Sequence, residues 1–452
     1  MASVAAELHR DGISVTGSDS GFYPPMSEFL TEQGVACLQG FKPKNLPLDS
    51  LIVVGNSISR GNPELEHALN ERLPMISLPE LIADRYLRRQ LSLVVTGTHG
   101  KTTTAAMLAH ILRQDERNPG WLIGGIPADL PVPCHLGTGD EFVIEGDEYD
   151  AVYWDKRPKF LYYKPSHAII NPVEFDHADI YPDLEAIELQ FRRFVRLLPK
   201  NGIIVACADS LLVQSICQDA LCRVITVGVG SENDWRIEFS DDEDVNQAVI
   251  TDPEGKNWDF ESKQPGKHNL MNALAATALA VNLDVRTEIA ISAIQNFGGV
   301  GRRMELIRHD SQLTVYDDFA HHPTAIAATL ETARHLHPKQ QLWALLEPRS
   351  NTMVRNMHTQ ALIDALKRAD VIMIGRLHRA DSIPVDQRLD RKLLAEELRK
   401  QDKQVWIGDE VDSMIEYLKD NLTGDDVIVM MSNGSFDGLS QKLVRLSNIP
   451  TI

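Results

Sequence analysis

One short stretch constrains this chain more than any other feature: residues 96–104, with the sequence TGTHGKTTT. The apolar run Leu91–Val95 precedes it, and a helical pattern over Thr104–Leu112 follows. In such a strand–turn–helix unit, glycines let backbone N–H groups approach phosphate oxygens at the start of the helix. Lys101 adds a positive charge for the β- and γ-phosphates, and the hydroxyl of Thr102 can reach a magnesium ion. The stretch therefore predicts a phosphate-binding loop, with ATP as the expected nucleotide.

Length and composition indicate a globular protein of several domains. At about 150 residues per domain, a chain of 452 residues corresponds to about three domains. Hydrophobic residues make up 43% and charged residues 24% of the chain, as in ordinary globular proteins. No apolar run reaches the roughly 20 residues that a membrane helix needs, and the first residues do not resemble a signal peptide. We expect a cytoplasmic protein.

The net charge and the cysteines argue against further classes of protein. A formal net charge of −19 leaves no broad basic field to attract a polyanion, so nucleic acid is not expected as a partner. The five cysteines are Cys37, Cys134, Cys207, Cys217 and Cys222. Their odd number and the lack of a CxxC pair favour reduced thiols over structural zinc or disulfides.

Short apolar runs alternate with helical patterns, which is typical of parallel sheets with crossover helices. Boundaries near residues 90 and 298 divide the chain into the α/β segments 1–90, 91–297 and 298–452. Polar stretches near 231–262 predict antiparallel ribbons. The chain begins with an amphipathic helix over residues 3–10 that leads into the strand Ile13–Gly17, whereas a doubly wound domain normally opens with a strand and a glycine turn. We therefore expect that the first strand of this domain is missing, as in a shortened gene model.

Two polar runs follow predicted strands in the central segment. Residues 145–150, EGDEYD, cluster four carboxylates at a strand end, where hard oxygen ligands can hold a nucleotide-bound cation. An acidic, solvated loop is the alternative. The run Asn171–Asp179 contains His177 among acidic residues. That histidine can be a metal ligand, a base or a structural group at a helix start.

A third motif, around Asn269 and Asn272, opens a predicted helix. Because these residues lie three apart, one helix face presents two amides, which either read an adenine edge or cap the helix. Shortly after residue 298, Arg302 and Arg303 offer guanidinium groups suited to phosphate. A pair of arginines on the surface is the plainer interpretation.

Three polar runs in the last segment follow predicted strands: Tyr316–Pro323, Leu346–Thr352 and Ser432–Phe436. Since the carboxyl ends of parallel strands meet at one edge of a sheet, these runs predict the functional edge of the last domain. The paired His321 and His322 are compatible with a metal, but without further ligands we favour contacts to substrate or nucleotide.

In their order and spacing these motifs resemble those of the Mur ligase family, the ATP-dependent amide-forming enzymes of peptidoglycan synthesis. The motifs are GTHGKTTT, EGDEYD, EFDH, GKHNLMNA, GRRME and DDFAHHP. The family's phosphate loop has the form GTxGKTT, which accounts for Val95 where a glycine usually stands. Residues 22–27, 155–160, 174–180 and 346–353 are similar to one branch of the family. That branch joins UDP-N-acetylmuramate to L-alanyl-γ-D-glutamyl-meso-diaminopimelate in cell-wall recycling.

The resemblance implies an α/β fold of three domains. Residues 1–90 would form a Rossmann-like UDP-sugar domain, 91–297 a central ATP-binding P-loop domain, and 298–452 a Rossmann-like peptide-substrate domain. It also implies ATP and Mg²⁺ as cofactors and two small-molecule substrates, UDP-N-acetylmuramate and a murein tripeptide. Neither nucleic acid nor membrane is implied, and the protein would be a monomer or weak homodimer.

The resemblance further implies roles for individual residues. The implied catalytic residues are Lys101, Glu145, His177 and Arg349. The implied magnesium ligands are Thr102, Glu145 and His177. The implied nucleotide contacts are Gly97, Thr98, His99, Gly100, Lys101, Thr102, Thr103, His268, Asn269, Asn272, Arg303 and Asp318. The implied substrate contacts are Ser18, Asp19, Asn56 and Ser57 on the UDP-sugar side and His321, His322 and Arg349 on the peptide side.

The reaction implied is amide formation through an acyl phosphate, with Lys101 and Mg²⁺ neutralising charge on the transferred phosphoryl group. Two alternatives remain open. One is a ligase of the same fold that adds L-alanine to UDP-N-acetylmuramate. The other is a non-catalytic protein that binds a nucleotide or a UDP-sugar.

Overall fold

Parallel strands joined by helices make up most of this computed structural model, which describes residues 1–22, 26–240 and 246–447. The α/β fold class predicted from the alternating patterns is confirmed. The chain divides into two units. The first unit comprises residues 1–174, 184–235 and 273–294, and the second comprises residues 175–183, 236–272 and those from 295 onward. Among the described residues, no helix is long and apolar enough to cross a membrane.

The amino-terminal part of the first unit contains two small parallel sheets. Their paired strands are Thr16–Asp19 with Ala36–Gln39, and Ile52–Val54 with Met75–Ser77. The helices are Ala2–Arg10, Met26–Glu32, Pro63–Asn70 and Leu78–Ile82. The first strand begins later than the expected Ile13, because Gly12 adopts φ 81° and the amide of Ile13 donates to the carbonyl of Leu8. Ile13 therefore belongs to the turn after helix Ala2–Arg10 and not to the strand.

The larger sheet of the first unit carries the phosphate loop. Its strand order is Arg223–Gly228, Ile203–Cys207, His167–Ile170, Leu91–Thr96, Glu141–Gly146, Gly120–Leu122 and Cys134–His135. Only the last pair is antiparallel. The helices of this part are Lys101–Gln114, Leu184–Val195, Leu211–Cys217, Thr287–Gln295 and the end of Lys267–Asn282. Strand Leu91–Thr96 lies between Glu141–Gly146 and His167–Ile170, so the loops after all three meet at one edge.

The second unit holds an antiparallel ribbon and a larger sheet. The ribbon strands Trp235–Phe239, Gln247–Thr251 and Asn257–Glu261 confirm the antiparallel pairing expected near 231–262. The six-stranded sheet has the order Glu305–His309, Leu313–Asp318, Asp426–Met431, Gln341–Leu346, Val371–Ile374 and Gln404–Ile407. Its helices are Pro323–Leu336, Thr359–Leu366, Arg391–Arg399, Val411–Asn421 and Leu439–Val444.

The order of that sheet brings three polar loops together. Asp318 and Leu346 both pair with Met431, at the carboxyl ends of three adjacent parallel strands. The prediction that the runs after these strands share one edge is confirmed. Two buried apolar clusters, one containing Leu346 and the other Leu345, hold the helices against the sheet.

Candidate nucleotide and substrate sites

The phosphate loop of the first unit is held in a tight turn. Gly97 and Gly100 have φ values of 126° and 75°, which side-chain-bearing residues rarely adopt. A Cβ atom on Gly97 would lie 2.8 Å from the backbone oxygen of Asn171. The amide of Asn171 donates to the carbonyl of Thr96 at 2.8 Å, and its side-chain amide donates to the carbonyl of His99 at 3.1 Å. The loop is thus fixed to the end of the neighbouring strand.

Thr98 and His99 contribute a second set of contacts to the same strand end. The Thr98 amide donates to the carbonyl of Pro172 at 2.9 Å. The Thr98 hydroxyl accepts from the amide of Glu174 at 2.9 Å. The imidazole of His99 lies 2.9 Å from the carboxylate of Glu174. These bonds fix the conformation of the phosphate loop on the side that contacts residues 172–174.

Lys101 begins the helix after the loop and is bound by a buried carboxylate. Its Nζ donates to both oxygens of Glu148, at 3.0 and 2.8 Å, and to the carbonyls of Gly97 and Thr98, at 2.5 and 3.2 Å. The side chain of Glu148 is only 2% exposed. Burial by itself would lower the pKa of Lys101, but the charge of Glu148, with those of Asp147 and Glu145, raises it above its ordinary value. The ammonium therefore stays charged.

Thr102 and Glu145 form an oxygen-rich pair next to the loop. The Thr102 hydroxyl donates to the Glu145 carboxylate at 3.0 Å. The other carboxylate oxygen of Glu145 accepts from the amide of Gly124, and a Cβ atom on Gly124 would lie 3.2 Å from it. A hydroxyl and a carboxylate are the hard oxygen donors that Mg²⁺ prefers. This donor set fits the magnesium ion that the sequence implied.

The acidic run 145–150 is neither a uniform metal site nor a solvated loop. Besides Glu145 and Glu148, it contains Asp147, bound by Lys159 at 2.6 Å, and Asp150, bound by Lys156. Each carboxylate thus has its own partner. Glu145 thus contacts Thr102 and Glu148 contacts Lys101, whereas the two aspartates bind lysines that follow the run.

His177 belongs to the second unit and lies in a cluster there. Its backbone has φ 56°, and its amide donates to Asp176 at 2.7 Å. Asp176 also accepts from the hydroxyl of Thr352 at 2.6 Å and lies 3.8 Å from the imidazole of His321. Burial alone would raise the pKa of Asp176, but His177, His321 and the hydrogen bond from Thr352 bring it well below its usual range. Asp176 is thus a charged carboxylate that contacts His177, Thr352 and His321.

His322 and Arg349 occupy the loops after the strands of the larger sheet. His322 caps helix Pro323–Leu336: its Nδ1 accepts from the amide of Thr324 at 3.3 Å, and its Nε2 lies 3.2 Å from the carbonyl of Phe175. Arg349 pairs with Glu347 at 3.2 Å, and Glu347 also accepts from the hydroxyl of Ser432. Glu347 therefore joins two of the polar loops, and the amide of Ser432 joins the third by donating to the carbonyl of Asp318 at 3.1 Å.

Asp318, implied as a ribose contact, is bound within its own domain. Its two carboxylate oxygens accept from the amides of Met304 and Ala320, both at 2.7 Å, and from the hydroxyl of Thr329 at 3.3 Å. Arg303, implied as a phosphate contact, places its guanidinium 4.8 Å from the ring centre of Phe319. Both residues stand at the functional edge of the sheet.

The neighbouring Asp317 gives a pH-dependent prediction. Burial raises its pKa to about 6, opposed by Arg302 and reinforced by Asp318 and Glu305. An unfolded aspartate has a pKa of about 3.9. Between these values the folded state binds more protons than the unfolded state, so this residue lowers stability as pH rises through the window. We expect Asp317→Asn to reduce the loss of melting temperature between pH 5 and pH 7.5 relative to the parent. An equal loss in both proteins would contradict this.

The amides implied as adenine contacts bond to each other and to the backbone. Asn269 donates to the carbonyl of Pro265 at 2.8 Å, and the Asn272 amide lies 3.4 Å from the Asn269 oxygen. His268 follows Gly266, whose φ is 103° and whose Cβ would lie 2.5 Å from the hydroxyl of Thr332. The start of this helix is therefore fitted closely to helix Pro323–Leu336.

The residues implied for the UDP-sugar side lie after strands of the two small sheets. Ser18 and Asp19 end strand Thr16–Asp19, and the exposed Asn56 and Ser57 follow strand Ile52–Val54. Residues 23–25, within the run 22–27 that suggested the family branch, lie outside the described part of the chain. Ser18 accepts from the side-chain amide of Asn45 at 3.3 Å.

Sequence reasoning missed the partners that hold these groups in place. Glu148, Asn171 and Thr352 bind, respectively, Lys101, the phosphate loop and Asp176. Glu148 and Asn171 lay inside runs already marked as polar strand ends. The backbone conformation of a polar run decides which of its side chains contacts the phosphate loop. The sequence of the run alone does not specify that conformation.

Comparison with known proteins identifies the family of this chain. Residues 1–89 match the model described as "Mur ligase family, catalytic domain", 95–280 match "Mur ligase middle domain", and 302–434 match "Mur ligase, glutamate ligase domain". Among curated proteins, the chain is similar to two named UDP-N-acetylmuramate–L-alanyl-γ-D-glutamyl-meso-2,6-diaminoheptandioate ligase. That of Escherichia coli K12 is 39% identical over 98% of this chain and 95% of the relative. That of Haemophilus influenzae Rd is 36% identical over 98% and 96%.

Solved structures agree with this assignment. The crystal structure of a murein peptide ligase from Psychrobacter arcticus 273-4 superposes with a TM-score of 0.77 at 34% identity, covering 100% of this chain and 97% of that one. A UDP-N-acetylmuramate–alanine ligase from Thermotoga maritima has a TM-score of 0.81 at 22% identity, covering 98% and 96%, and shows the fold alone. With three consecutive domain models and close relatives matched over nearly its whole length, the chain belongs to the Mur ligase family, whose members are ATP-dependent ligases that form amide bonds.

Proposed function

We propose that this chain joins UDP-N-acetylmuramate to the tripeptide L-alanyl-γ-D-glutamyl-meso-diaminopimelate, using ATP. One observation carries the proposal: a phosphate loop with Lys101 and Thr102 bound to carboxylates occurs in a chain 39% identical to a ligase of that name over nearly its full length. Among the relatives, a UDP-N-acetylmuramate–L-alanine ligase from Acetivibrio thermocellus is 31% identical over 96% of this chain. The lower identity favours the tripeptide as substrate.

The chemistry requires no protein nucleophile. The lactyl carboxylate of the muramic acid attacks the γ-phosphorus of ATP, ADP leaves, and an acyl phosphate forms. The amine of the tripeptide then attacks the acyl carbon, and inorganic phosphate leaves as the amide bond forms. Lys101 offers a fixed positive charge to the γ-phosphoryl group, and the loop amides after Thr98 offer hydrogen bonds to phosphate oxygens.

Magnesium is proposed as the accompanying cation. Thr102 and Glu145 would hold it, since their oxygen atoms already lie 3.0 Å apart. When bound, Mg²⁺ supplies positive charge to the phosphate oxygens. His177 stays a proposed ligand on the family resemblance alone.

The other implied roles stand as proposals supported by position. His268, Asn269, Asn272, Arg303 and Asp318 would serve the nucleotide. His321, His322 and Arg349 would serve the peptide, and Ser18, Asp19, Asn56 and Ser57 the UDP-sugar. The domain limits 1–90, 91–297 and 298–452 are supported by the three matched ranges. A cytoplasmic monomer or weak homodimer without nucleic acid or membrane partners completes the proposal.

A substrate competition tests this function. Purified protein with ATP, Mg²⁺ and UDP-N-acetylmuramate should form UDP-muramoyl tripeptide, with kcat/KM for the tripeptide more than about tenfold above that for L-alanine. Product is identified by mass, and phosphate release is measured in parallel. A preference for L-alanine would replace the proposal with the single-amino-acid ligase. Nucleotide binding without product from either acceptor would favour a non-catalytic binder.

A further inference from the structure

Glu148 lies in the acidic run 145–150, and the family resemblance implies no individual role for it. Its side chain is 2% exposed, and both of its oxygens accept from Nζ of Lys101. A carboxylate so deeply buried is costly unless it is paired, so the Lys101 contact accounts for its presence there.

The contact fixes the end of a long side chain. A lysine ammonium has three N–H donors on four flexible methylenes. Here it meets Glu148 on one side and the carbonyls of Gly97 and Thr98 on the other. Without Glu148, two backbone carbonyls would remain to orient Nζ.

The other acidic side chains of the run have hydrogen-bond partners of their own. Asp147 binds Lys159 at 2.6 Å, Asp150 binds Lys156, and Glu145 accepts from Thr102. Glu148 thus hydrogen-bonds the lysine of the phosphate loop, and Lys159 and Lys156 bind the two aspartates on either side of it.

We propose that Glu148 is a positioning residue that holds the ammonium of Lys101 at the phosphate loop, ready for the γ-phosphoryl group of ATP. This inference rests on the proposed function. A pre-placed charge acts most strongly where charge develops in the transition state, so the effect should fall on kcat rather than on ATP binding.

Glu148→Gln keeps the size of the side chain and removes its charge. We expect kcat to fall about tenfold while KM for ATP changes less than about threefold. Glu148→Asp restores the charge on a shorter stem and should recover part of the lost kcat. A matched control is Asp150→Asn: Asp150 is buried in the same run but bound to Lys156, and this variant should keep its kcat within about twofold.

A double-mutant cycle with Lys101→Met separates positioning from general damage. If Glu148 acts through Lys101, the double variant should be no slower than Lys101→Met alone, within about twofold. Losses that multiply would overturn the inference. So would a lower KM for ATP with unchanged kcat in Glu148→Gln, since the carboxylate would then merely compete with phosphate.

A crystal structure of Glu148→Gln provides a readout independent of turnover. The inference expects Nζ of Lys101 to move away from the side chain at position 148, since the carbonyls of Gly97 and Thr98 would be its remaining charge-independent acceptors. An unchanged Nζ position would overturn the inference. If the parent protein shows no tripeptide-dependent phosphate release, the proposed function fails, and this structure still decides the role of Glu148.

Discussion

Lys101→Met should lower tripeptide-dependent phosphate release by about a hundredfold to a thousandfold. Its ammonium is the charged donor of the phosphate loop, and removing one preorganised donor from a developing anion costs about 10²–10³ in kcat. The substitution leaves the other contacts of the phosphate loop in place, including the hydrogen bond from the Thr98 amide to the carbonyl of Pro172. Steady-state kinetics at saturating ATP measures the loss.

Lys101→Met also removes the ion-pair partner of a buried carboxylate. A control must therefore separate lost stability from lost catalysis. The substitution removes one partner of an ion pair whose carboxylate is 2% exposed, and such a removal commonly costs about 3–5 kcal/mol of stability. Combining Lys101→Met with Glu148→Gln should restore the melting temperature toward that of the parent but leave turnover low. Recovery of activity together with stability would show that Lys101 has only a structural role.

Gly97→Ala should reduce turnover by at least about a hundredfold. The added Cβ would lie 2.8 Å from both the Cβ and the backbone oxygen of Asn171, at a φ of 126°. Because Asn171 itself is fixed to Thr96 and His99, the loop must shift, and a displacement of about 1 Å at reacting groups commonly costs about 10² in rate. ATP-dependent product formation measures the effect.

Gly255→Ala is the matched control for that substitution. Gly255 also has a positive φ, 83°, but nothing lies within 4 Å of the Cβ it would acquire. It should lose about 1 kcal/mol of stability through backbone strain and keep full activity. Equal loss of activity in both variants would contradict a local role for the Gly97 turn.

Much of the fold followed from periodicity. The strand Val371–Ile374 has the bounds expected from its apolar run, and strands with buried centres such as Leu91–Thr96 were recognised by their β-branched residues. Strand Glu305–His309 was not predicted, because it is a half-exposed edge strand in which charged and apolar residues are mixed. The apolar side chain of Ile13 is typical of a strand, but Gly12 before it ends the helix, and the prediction of a strand from Ile13 was therefore wrong.

The candidate site was predictable in its chemistry and less so in its pairing. The lysine, threonine and carboxylates of the phosphate loop follow from motif and strand ends. Glu145 contacts Thr102 and Glu148 contacts Lys101, and this pairing depends on the backbone path between the two glutamates. The binding of Asp318 by the amides of Met304 and Ala320 likewise results from a loop geometry that no spacing specifies.

The central claim, that ATP activates the muramic carboxylate, is tested most directly by isotope transfer. UDP-N-acetylmuramate labelled with ¹⁸O in its lactyl carboxylate is incubated with ATP, Mg²⁺, tripeptide and the protein. An acyl phosphate places one carboxylate oxygen between carbon and phosphorus, so the inorganic phosphate released should carry one ¹⁸O atom per amide bond formed. Unlabelled phosphate accompanying product formation would contradict the account.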